Sequence, residues 1–574
     1  MTDSSRPTTP PDASATQRTP AAWVFALIVA AGLLARLVQF AQRRPLFIDD
    51  IQLMLNIVAR GYRDLLRPLA LEQSAPALFL WTQRSIVRLF GVSDVTFTML
   101  SLAVGIAVLP FAWLIARRIT DRVTAMLAVA MLSISPPLIY YATSSKQYET
   151  DVFVAVVLAW LGLRVLDAPE RSSRWLAAIG GGVVALTLSM PALFVLGGVW
   201  FAWAFCRPIR DGVRGRMLLV VSGALWAATF GTMYLTMYSA VSRNEYMRRF
   251  WHGQYLSSQP TLGRAARYLG RLHMALYDVG SSVPWLLVAL LSVLLVIGLV
   301  ALLRERRLSV VALLVIPLLL AVAASALGQW ILLTRFMLYS APFVALLVAH
   351  GVTTVARLVA SAPRTRDAMV LVGGLAVLAL PARYELWVLR NPSNVEASPE
   401  LVSSFLRHAR AGEPVYVYAR AVPLWTYYST DWTHPDTSRV QRLLRNAIEI
   451  GPGSGNGKSR GRPVQHEGFE RRFPFRGSEE LVGIATGMEH TGMTSDPAPD
   501  PGWAENEAER IRAVASPTAW VAFAHYDPLP LQQLQSALQR LGGRVAFSEV
   551  QPGVALFQYR FAATDSSLAR RATD

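Results

Sequence analysis

Pro45-Leu46-Phe47-Ile48-Asp49-Asp50 follows the first apolar segment of the chain, which runs from Ala21 to Ala41. The stretch therefore lies where the chain leaves a membrane and enters a long polar loop. Two adjacent carboxylates at a membrane surface are costly to bury, so Asp49 and Asp50 favour a general base at the membrane–water boundary. The alternative is structural, with an aspartate capping a helix from Ile51 to Arg60.

The composition is typical of a multi-pass membrane protein. Of the 574 residues, 53% are hydrophobic and 16% are charged, whereas soluble proteins carry about 25% charged residues. The net charge of +17 does not indicate nucleic acid binding, because much of the arginine lies in short loops between apolar spans. The single cysteine, Cys206, excludes an intrachain disulfide and a Cys-rich zinc site.

Apolar runs of about 20 residues predict about eleven transmembrane helices. The expected spans are Ala21–Ala41, Val95–Ile115, Val123–Tyr141, Val152–Val165, Trp175–Pro191, Ala192–Phe205, Met217–Tyr238, Val283–Leu303, Val310–Leu327, Phe336–Ala356 and Ala368–Val388.

Arginine is concentrated in every second loop, which makes those loops cytoplasmic by the positive-inside rule. The alternate loops, including 42–94 and 239–282, then face outward. An odd number of spans also places the chain after Arg390 outside. The sequence therefore predicts a protein of the inner (cytoplasmic) membrane with an extracytoplasmic C-terminal domain.

Three domains are expected. Residues 1–20 form a disordered cytoplasmic tail, residues 21–389 the transmembrane domain, and residues 390–574 a small α/β domain. A Gly-, Pro- and charge-rich stretch, about 451–517, is predicted to be a flexible insert. The strands expected in the last domain are Pro414–Tyr418, Ala519–Ala524, Arg544–Phe547 and Val554–Tyr559.

The second outward loop combines a cation with aromatic and acidic residues. Lys146 lies on the side that the charge rule disfavours, and Tyr148 and Asp151 follow at the start of a span. A phosphate partner accounts for the lysine, and so does a lysine that reaches the membrane interface.

Further cations lie at the third outward loop and at the start of a late span. Arg248 and Arg249 belong to a basic, aromatic-rich loop that binds either a substrate anion or lipid headgroups. Arg335 is a second phosphate candidate, or else a span-end anchor. His252, His273, His408, His434, His466 and His525 show no metal-ligand spacing and are interpreted as satisfied surface residues.

Several short motifs in order resemble the C-type (GT-C) integral-membrane glycosyltransferases, in particular bacterial relatives of the dolichyl-phosphate-mannose–protein mannosyltransferases. The resemblance covers Ala21 to Val165. It is carried by Phe47-Ile48-Asp49-Asp50, Asn56-Ile57, Pro68-Leu69, Gln73-Ser74-Ala75-Pro76-Ala77-Leu78-Phe79-Leu80, Leu89-Phe90-Gly91, Ser135-Pro136-Pro137, Tyr140-Tyr141 and Lys146-Gln147-Tyr148.

The resemblance implies transfer of a sugar, with inversion, from a polyprenyl-phosphate carrier to an acceptor glycan, lipid or protein on the outer side of the membrane. It implies that Asp49 is the base and Asp50 a positioning or second acid. Two departures stand out: Asp50 replaces a usual Glu, and Ser74-Ala75 stand where relatives carry a His.

Partners and alternatives follow from the same residues. The expected partners are the lipid-linked sugar and membrane lipids, with no nucleic acid. No acidic or His cluster indicates a metal, although a divalent metal is not excluded. A transporter or lipid flippase, and a catalytically inactive relative, remain as alternatives.

Overall fold

The computed structural model describes residues 20–256, 285–391, 396–433, 438–441, 443–444, 472–483, 502–526 and 528–562. The predicted tail before Pro20 lies outside these residues. The described chain consists of an α-helical part up to Arg390 and a C-terminal part built around a sheet.

The helical part contains, in chain order, Pro20–Ala41 (α1), Ile48–Ala59 (α2), Ala77–Phe90 (α3), Asp94–Ile119 (α4), Arg122–Ser133 (α5), Pro136–Tyr141 (α6), Tyr148–Asp167 (α7), Ser172–Leu188 (α8), Ala192–Ala204 (α9), Arg207–Asp211 (α10), Val213–Met233 (α11), Ser239–Ser242 (α12), Glu245–Phe250 (α13), Trp285–Arg304 (α14), Leu308–Ala326 (α15), Thr334–Met337 (α16), Ala341–Val359 (α17) and Pro363–Arg390 (α18). A π-helical turn, Tyr234–Tyr238, extends α11.

Among the described residues, seven helices are long and apolar enough to cross a membrane, and three shorter apolar helices, α5, α8 and α9, accompany them. The expected count of eleven is not confirmed. Helix α7 is long enough but is not among the seven, because it carries the charged residues Glu149, Asp151 and Arg164. The predicted span Val123–Tyr141 is interrupted after Ser133, because the prolines at the start of α6 lack the N–H groups that would continue the helix.

Close helix packing holds the apolar part together. Helices α14 and α17 meet at Gly298 and Gly351, where a Cβ atom on either glycine would collide with the carbonyl oxygen of Leu347 or Leu294. Small residues at such crossings let two backbones approach closely.

Buried Arg36 links α1 to the end of α5. Its guanidinium donates to the carbonyl oxygens of Gly32 and Leu132 at 3.1 Å, and also to that of Ser133. These bonds engage both terminal nitrogens of a cation that has no solvent exposure, whereas its Nε has no partner among the described residues.

The C-terminal part is an α/β domain. Its strands are Val415–Val417 (β1), Arg472–Phe475 (β2), Ser478–Val482 (β3), Thr518–Ala524 (β4), Arg544–Gln551 (β5) and Val554–Arg560 (β6), and its helices are Ser398–His408 (α19), Val422–Ser429 (α20), Trp503–Val514 (α21) and Pro528–Arg540 (α22). The strand order is β2-β3-β1-β4-β6-β5. Strand β1 pairs in parallel with β3 and β4. The other neighbouring pairs, β2–β3, β4–β6 and β5–β6, are antiparallel.

The predicted strands around β1, β4, β5 and β6 are all present. Much of the predicted flexible insert, residues 451–471 and 484–501, lies outside the described residues, but the remainder contains regular structure. Strands β2 and β3 and helix α21 lie within it. The turn between β2 and β3 uses Arg476 and Gly477, both with positive φ, which suits a tight hairpin.

The C-terminal domain rests on the segment that carries the paired aspartates. Tyr427 and Tyr428 in α20 each donate a hydrogen bond of 3.0 Å to Asp94, the first residue of α4. The backbone N–H of Leu46 donates to the Tyr428 hydroxyl at 3.2 Å. The domain is thereby fixed beside α2.

Candidate active site

The two aspartates lie in the first turn of α2, which begins at Ile48 with Phe47 at the N-cap position. Neither aspartate caps the helix, so the structural alternative of a capping aspartate is wrong. The partial positive charge of a helix N-terminus favours carboxylates in the first turn. Consecutive residues on a helix point in directions about 100° apart, and Asp49 and Asp50 therefore have different surroundings.

Asp50 is an anchor. Its side chain is 4% exposed, and its Oδ1 accepts hydrogen bonds from Ser144 Oγ at 2.8 Å, from the Ser145 backbone N–H at 2.9 Å and from Ser145 Oγ at 2.8 Å. These bonds tie α2 to the loop before α7 and fix the position of the neighbouring Lys146. The geometry favours a positioning role for Asp50.

Asp49 faces cations. Its Oδ2 accepts a hydrogen bond of 2.8 Å from the guanidinium of Arg335, and its side chain is 31% exposed. Burial raises the pKa of the Asp49 carboxyl, but Lys146, Arg335 and, to a smaller extent, His525 outweigh burial, so the pKa lies below its usual value of 3.8. Asp49 is therefore an anion at neutral pH.

Arg335 is held among aromatic rings. Its guanidinium carbon lies 5.3 Å from the ring centroids of Trp251 and Phe336 and 6.0 Å from that of Tyr148. Of its five donors one bonds Asp49, and its buried Nε has no hydrogen-bond partner among the described residues. A guanidinium with spare donors suits a phosphate oxygen.

Lys146 supplies a second cation near Asp49. It is 7% exposed, and its Nζ donates to Oε1 of Gln73. The amide of Gln73 in turn donates to Gln52 Oε1 at 2.8 Å and to the Leu71 carbonyl oxygen at 3.0 Å. Burial lowers the pKa of Lys146, and the neighbouring aspartates oppose that effect.

Leu71 and Glu72, next to Gln73, both adopt left-handed backbone conformations, with φ of 59° and 58°. This conformation is uncommon for residues with a Cβ atom and clusters at functional sites. Burial raises the pKa of Glu72 to about 7. The loop beside Lys146 therefore carries a carboxyl that changes charge near neutral pH.

We expect the stability of this loop to fall as pH rises. Since the pKa of Glu72 is higher in the folded chain than its usual 4.5, the folded state binds more protons between pH 4.5 and about 7, and stability decreases over that window. The apparent melting temperature should fall by a few degrees between pH 5 and 8, whereas Glu72→Gln should flatten this decline. The exposed Glu170, replaced by Gln, is the control; identical pH slopes in all three proteins would contradict the prediction.

The remaining predicted residues lie outside this cluster. Asp151 is 6% exposed, one helical turn beyond Lys146 and Tyr148, and its Oδ1 has no partner among the described residues. Arg248 is exposed and, in the described part of the chain, makes no hydrogen bond or ion pair with Asp49, Lys146 or Arg335. The side chain of Arg249 lies outside the described residues.

One contact beside this site was not expected from the sequence. His525 follows β4, and its ring centroid lies 5.3 Å from that of Phe47, in an edge-to-face arrangement. Its Nδ1 is hydrogen-bonded to Glu396. The side chain is 34% exposed and hydrogen-bonded, in line with its interpretation as a satisfied surface histidine. The available signal was its place at the carboxyl end of a buried strand, where α/β sheets collect functional residues.

No group of three or more His, Cys, Asp and Glu side chains that could hold a metal ion is found within the described ranges.

Comparison with known proteins identifies the fold. Residues 74–235 match the family model described as Dolichyl-phosphate-mannose-protein mannosyltransferase. The crystal structure of ArnT from Cupriavidus metallidurans in the apo state aligns with a TM-score of 0.52 and 14% identity, over 93% of this chain and 97% of that chain. The chain shares its overall fold with this ArnT. ArnT from the same organism bound to undecaprenyl phosphate aligns with a TM-score of 0.50 and 12% identity, over 94% and 98% of the two chains.

No curated protein sequence matches the chain significantly. The family match over residues 74–235 and the fold shared with ArnT support the resemblance expected from the sequence motifs. The family match begins at Ser74, so it includes Lys146 and Tyr148 but neither Asp49 nor Arg335.

Proposed function

We propose that this protein transfers a sugar from a polyprenyl-phosphate donor to an acceptor hydroxyl on the outer side of the cytoplasmic membrane, with inversion at the anomeric carbon. The observation that carries the proposal is the cluster of Asp49, Arg335 and Lys146. The Asp49 carboxylate is held beside two cations, in the first turn of the helix that follows α1, within a fold shared with ArnT.

The chemistry needs two kinds of group. Displacing a lipid phosphate from a sugar requires removal of a proton from the attacking hydroxyl, and Asp49 is the proposed base. The departing phosphate gains negative charge, which Arg335 and Lys146 would stabilise. The spare donors of Arg335 and the rings of Trp251 and Tyr148 suit a phosphate with a sugar stacked beside it.

The placement of buried charges favours this function over transport. Arg36, Glu149 and Glu385 are buried in helices, but each lies within about one and a half turns of a helix end. Transporters place their ionisable groups near the middle of the bilayer.

The donor can be identified directly. We expect mass spectrometry of lipids that co-purify with the protein to reveal a polyprenyl phosphate carrying a sugar, because ArnT has been captured with undecaprenyl phosphate. The lipid should be lost from Arg335→Gln and retained by Arg67→Gln, whose arginine is exposed. Recovery of phospholipids alone, together with no sugar transfer from envelope lipids, would refute the proposed function.

A further inference from the structure

His525 is held in an unusual backbone conformation at the end of β4. Its φ of 49° is left-handed, which is unfavourable for a residue with a Cβ atom. Its backbone N–H donates to the carbonyl oxygen of Gly553 at 3.0 Å, and the N–H of Ala397 donates to that of Pro552 at 3.0 Å. The turn between β5 and β6 therefore holds both His525 and the residue that follows Glu396.

Glu396 orients the imidazole. This glutamate is 4% exposed; its Oε1 bonds Nδ1 of His525, and its Oε2 has no partner among the described residues. An ionised carboxylate only accepts hydrogen bonds, so Nδ1 then carries the hydrogen and Nε2 is left as the proton acceptor. Paired carboxylate and imidazole groups commonly handle protons in enzymes.

The imidazole is positioned at the base of α2. Its ring packs on Phe47, two residues before Asp49, at an interplanar angle of 74°. The hydrogen bonds from Tyr427 and Tyr428 to Asp94 hold the domain in this place. His525 also interacts electrostatically with Asp49, without a direct hydrogen bond or ion pair between the two described side chains, and it pairs with Glu396.

We propose that the C-terminal domain completes the active site by supplying His525, held by Glu396, as the proton-transfer partner of Asp49. The inference rests on the proposed function. The acceptor oxygen forms a bond to the anomeric carbon, the bond from that carbon to the phosphate oxygen breaks, and its electron pair leaves with the phosphate. The hydroxyl proton passes to Asp49 and then, through a bridging water molecule between the two partly exposed side chains, to Nε2 of His525, from which it is released to solvent.

Two considerations make such a partner useful. Asp49 is surrounded by cations, which favour its anionic form, so a proton that it accepts is readily passed on. Asp49 must also be an anion again before the next turnover, and imidazole is the side chain that most often serves in proton transfer. His525 is thus a positioning and relay residue that acts through Asp49.

The test compares His525→Gln and Glu396→Gln with His408→Gln in the full chain. The assay uses the lipid-linked donor identified by mass spectrometry, and an envelope extract supplies the acceptor. His408 is a matched control because it belongs to the same domain, bonds the Ser404 carbonyl oxygen at 2.9 Å and packs on Phe547. We expect His525→Gln to lower kcat about 10- to 100-fold, to leave KM for the donor unchanged and to alter the pH profile of kcat. Glu396→Gln should show a smaller loss of kcat.

Three other results would each overturn the relay. Wild-type kcat and pH profile in His525→Gln would overturn the relay and leave the proposed function intact. Equal losses of kcat and of donor binding, with a lowered melting temperature, would assign His525 a structural role only. A wild-type protein that transfers no sugar would refute the proposed function, and the relay with it.

Discussion

Replacing Asp49 with asparagine is expected to lower the rate of sugar transfer about 10²- to 10⁴-fold, the usual contribution of a general base. Asparagine has nearly the same shape and can still accept a hydrogen bond from Arg335, so the site should keep its geometry. What it cannot do is take the proton of the attacking hydroxyl. The loss should therefore fall on kcat, with donor binding largely retained.

The control for this substitution is Asp64→Asn. Asp64 lies in the same loop region, but its side chain is 55% exposed and its contact with Arg67 is long, at 3.6 Å. Exposed pairs of this kind contribute little, so transfer should remain close to wild type. Transfer rates are measured on purified protein with matching melting temperatures. Undiminished kcat in Asp49→Asn would remove Asp49 from the proposed mechanism.

Asp50→Asn would alter an anchor rather than the proposed base, because the Asp50 carboxylate accepts hydrogen bonds from three donors of Ser144 and Ser145. Residue type and position alone could not separate the two adjacent aspartates, and the distinction between Asp49 as base and Asp50 as positioning or second acid came from the family resemblance. Their difference arises from the helical rotation between them and from a loop about 95 residues further along the chain. The hydrogen bonds that anchor Asp50 are seen only in the folded structure, where this loop lies against α2.

Hydropathy predicted most helices because a long apolar run indicates a buried or membrane-spanning helix from its own composition, whatever it packs against. It failed where local composition opposes the final structure. Strands β2 and β3 were not predicted because β2 contains Pro474 and β3 contains two glutamates, which are unusual in strands. They form because they extend the sheet from β1. The contact of His525 with Phe47 could not be predicted for a related reason: it arises from the docking of the C-terminal domain on Asp94.

Arg335 was predicted as a phosphate candidate from its position at the start of a span, but its pairing with Asp49 spans 286 residues of sequence and no local pattern encodes it. In the proposed mechanism Arg335 has two tasks. It holds Asp49 in place, and its remaining donors are available for the leaving phosphate. Its substitution should therefore affect binding and chemistry together, unlike that of Asp49.

We expect Arg335→Gln to reduce kcat/KM for the donor about 10²- to 10³-fold, the loss typical when a donor to developing negative charge is removed. Arg335→Lys should recover only part of it, because an ammonium cannot contact Asp49 and a phosphate oxygen through one planar group. Arg67→Gln, which removes an arginine that is 79% exposed, is the matched control and should retain wild-type kinetics. Donor KM and kcat measured separately would resolve the two tasks.

Combining Arg335→Gln with Asp49→Asn tests whether the two residues act as one unit. If Arg335 both positions Asp49 and stabilises the phosphate, the double variant should lose less than the product of the two single losses, because part of the arginine's contribution requires an intact carboxylate. The part that remains in the Asp49→Asn background measures the contact with the phosphate. Fully multiplicative losses would show that the 2.8 Å ion pair has no catalytic consequence, and an unchanged donor KM in Arg335→Gln would rule out the phosphate contact.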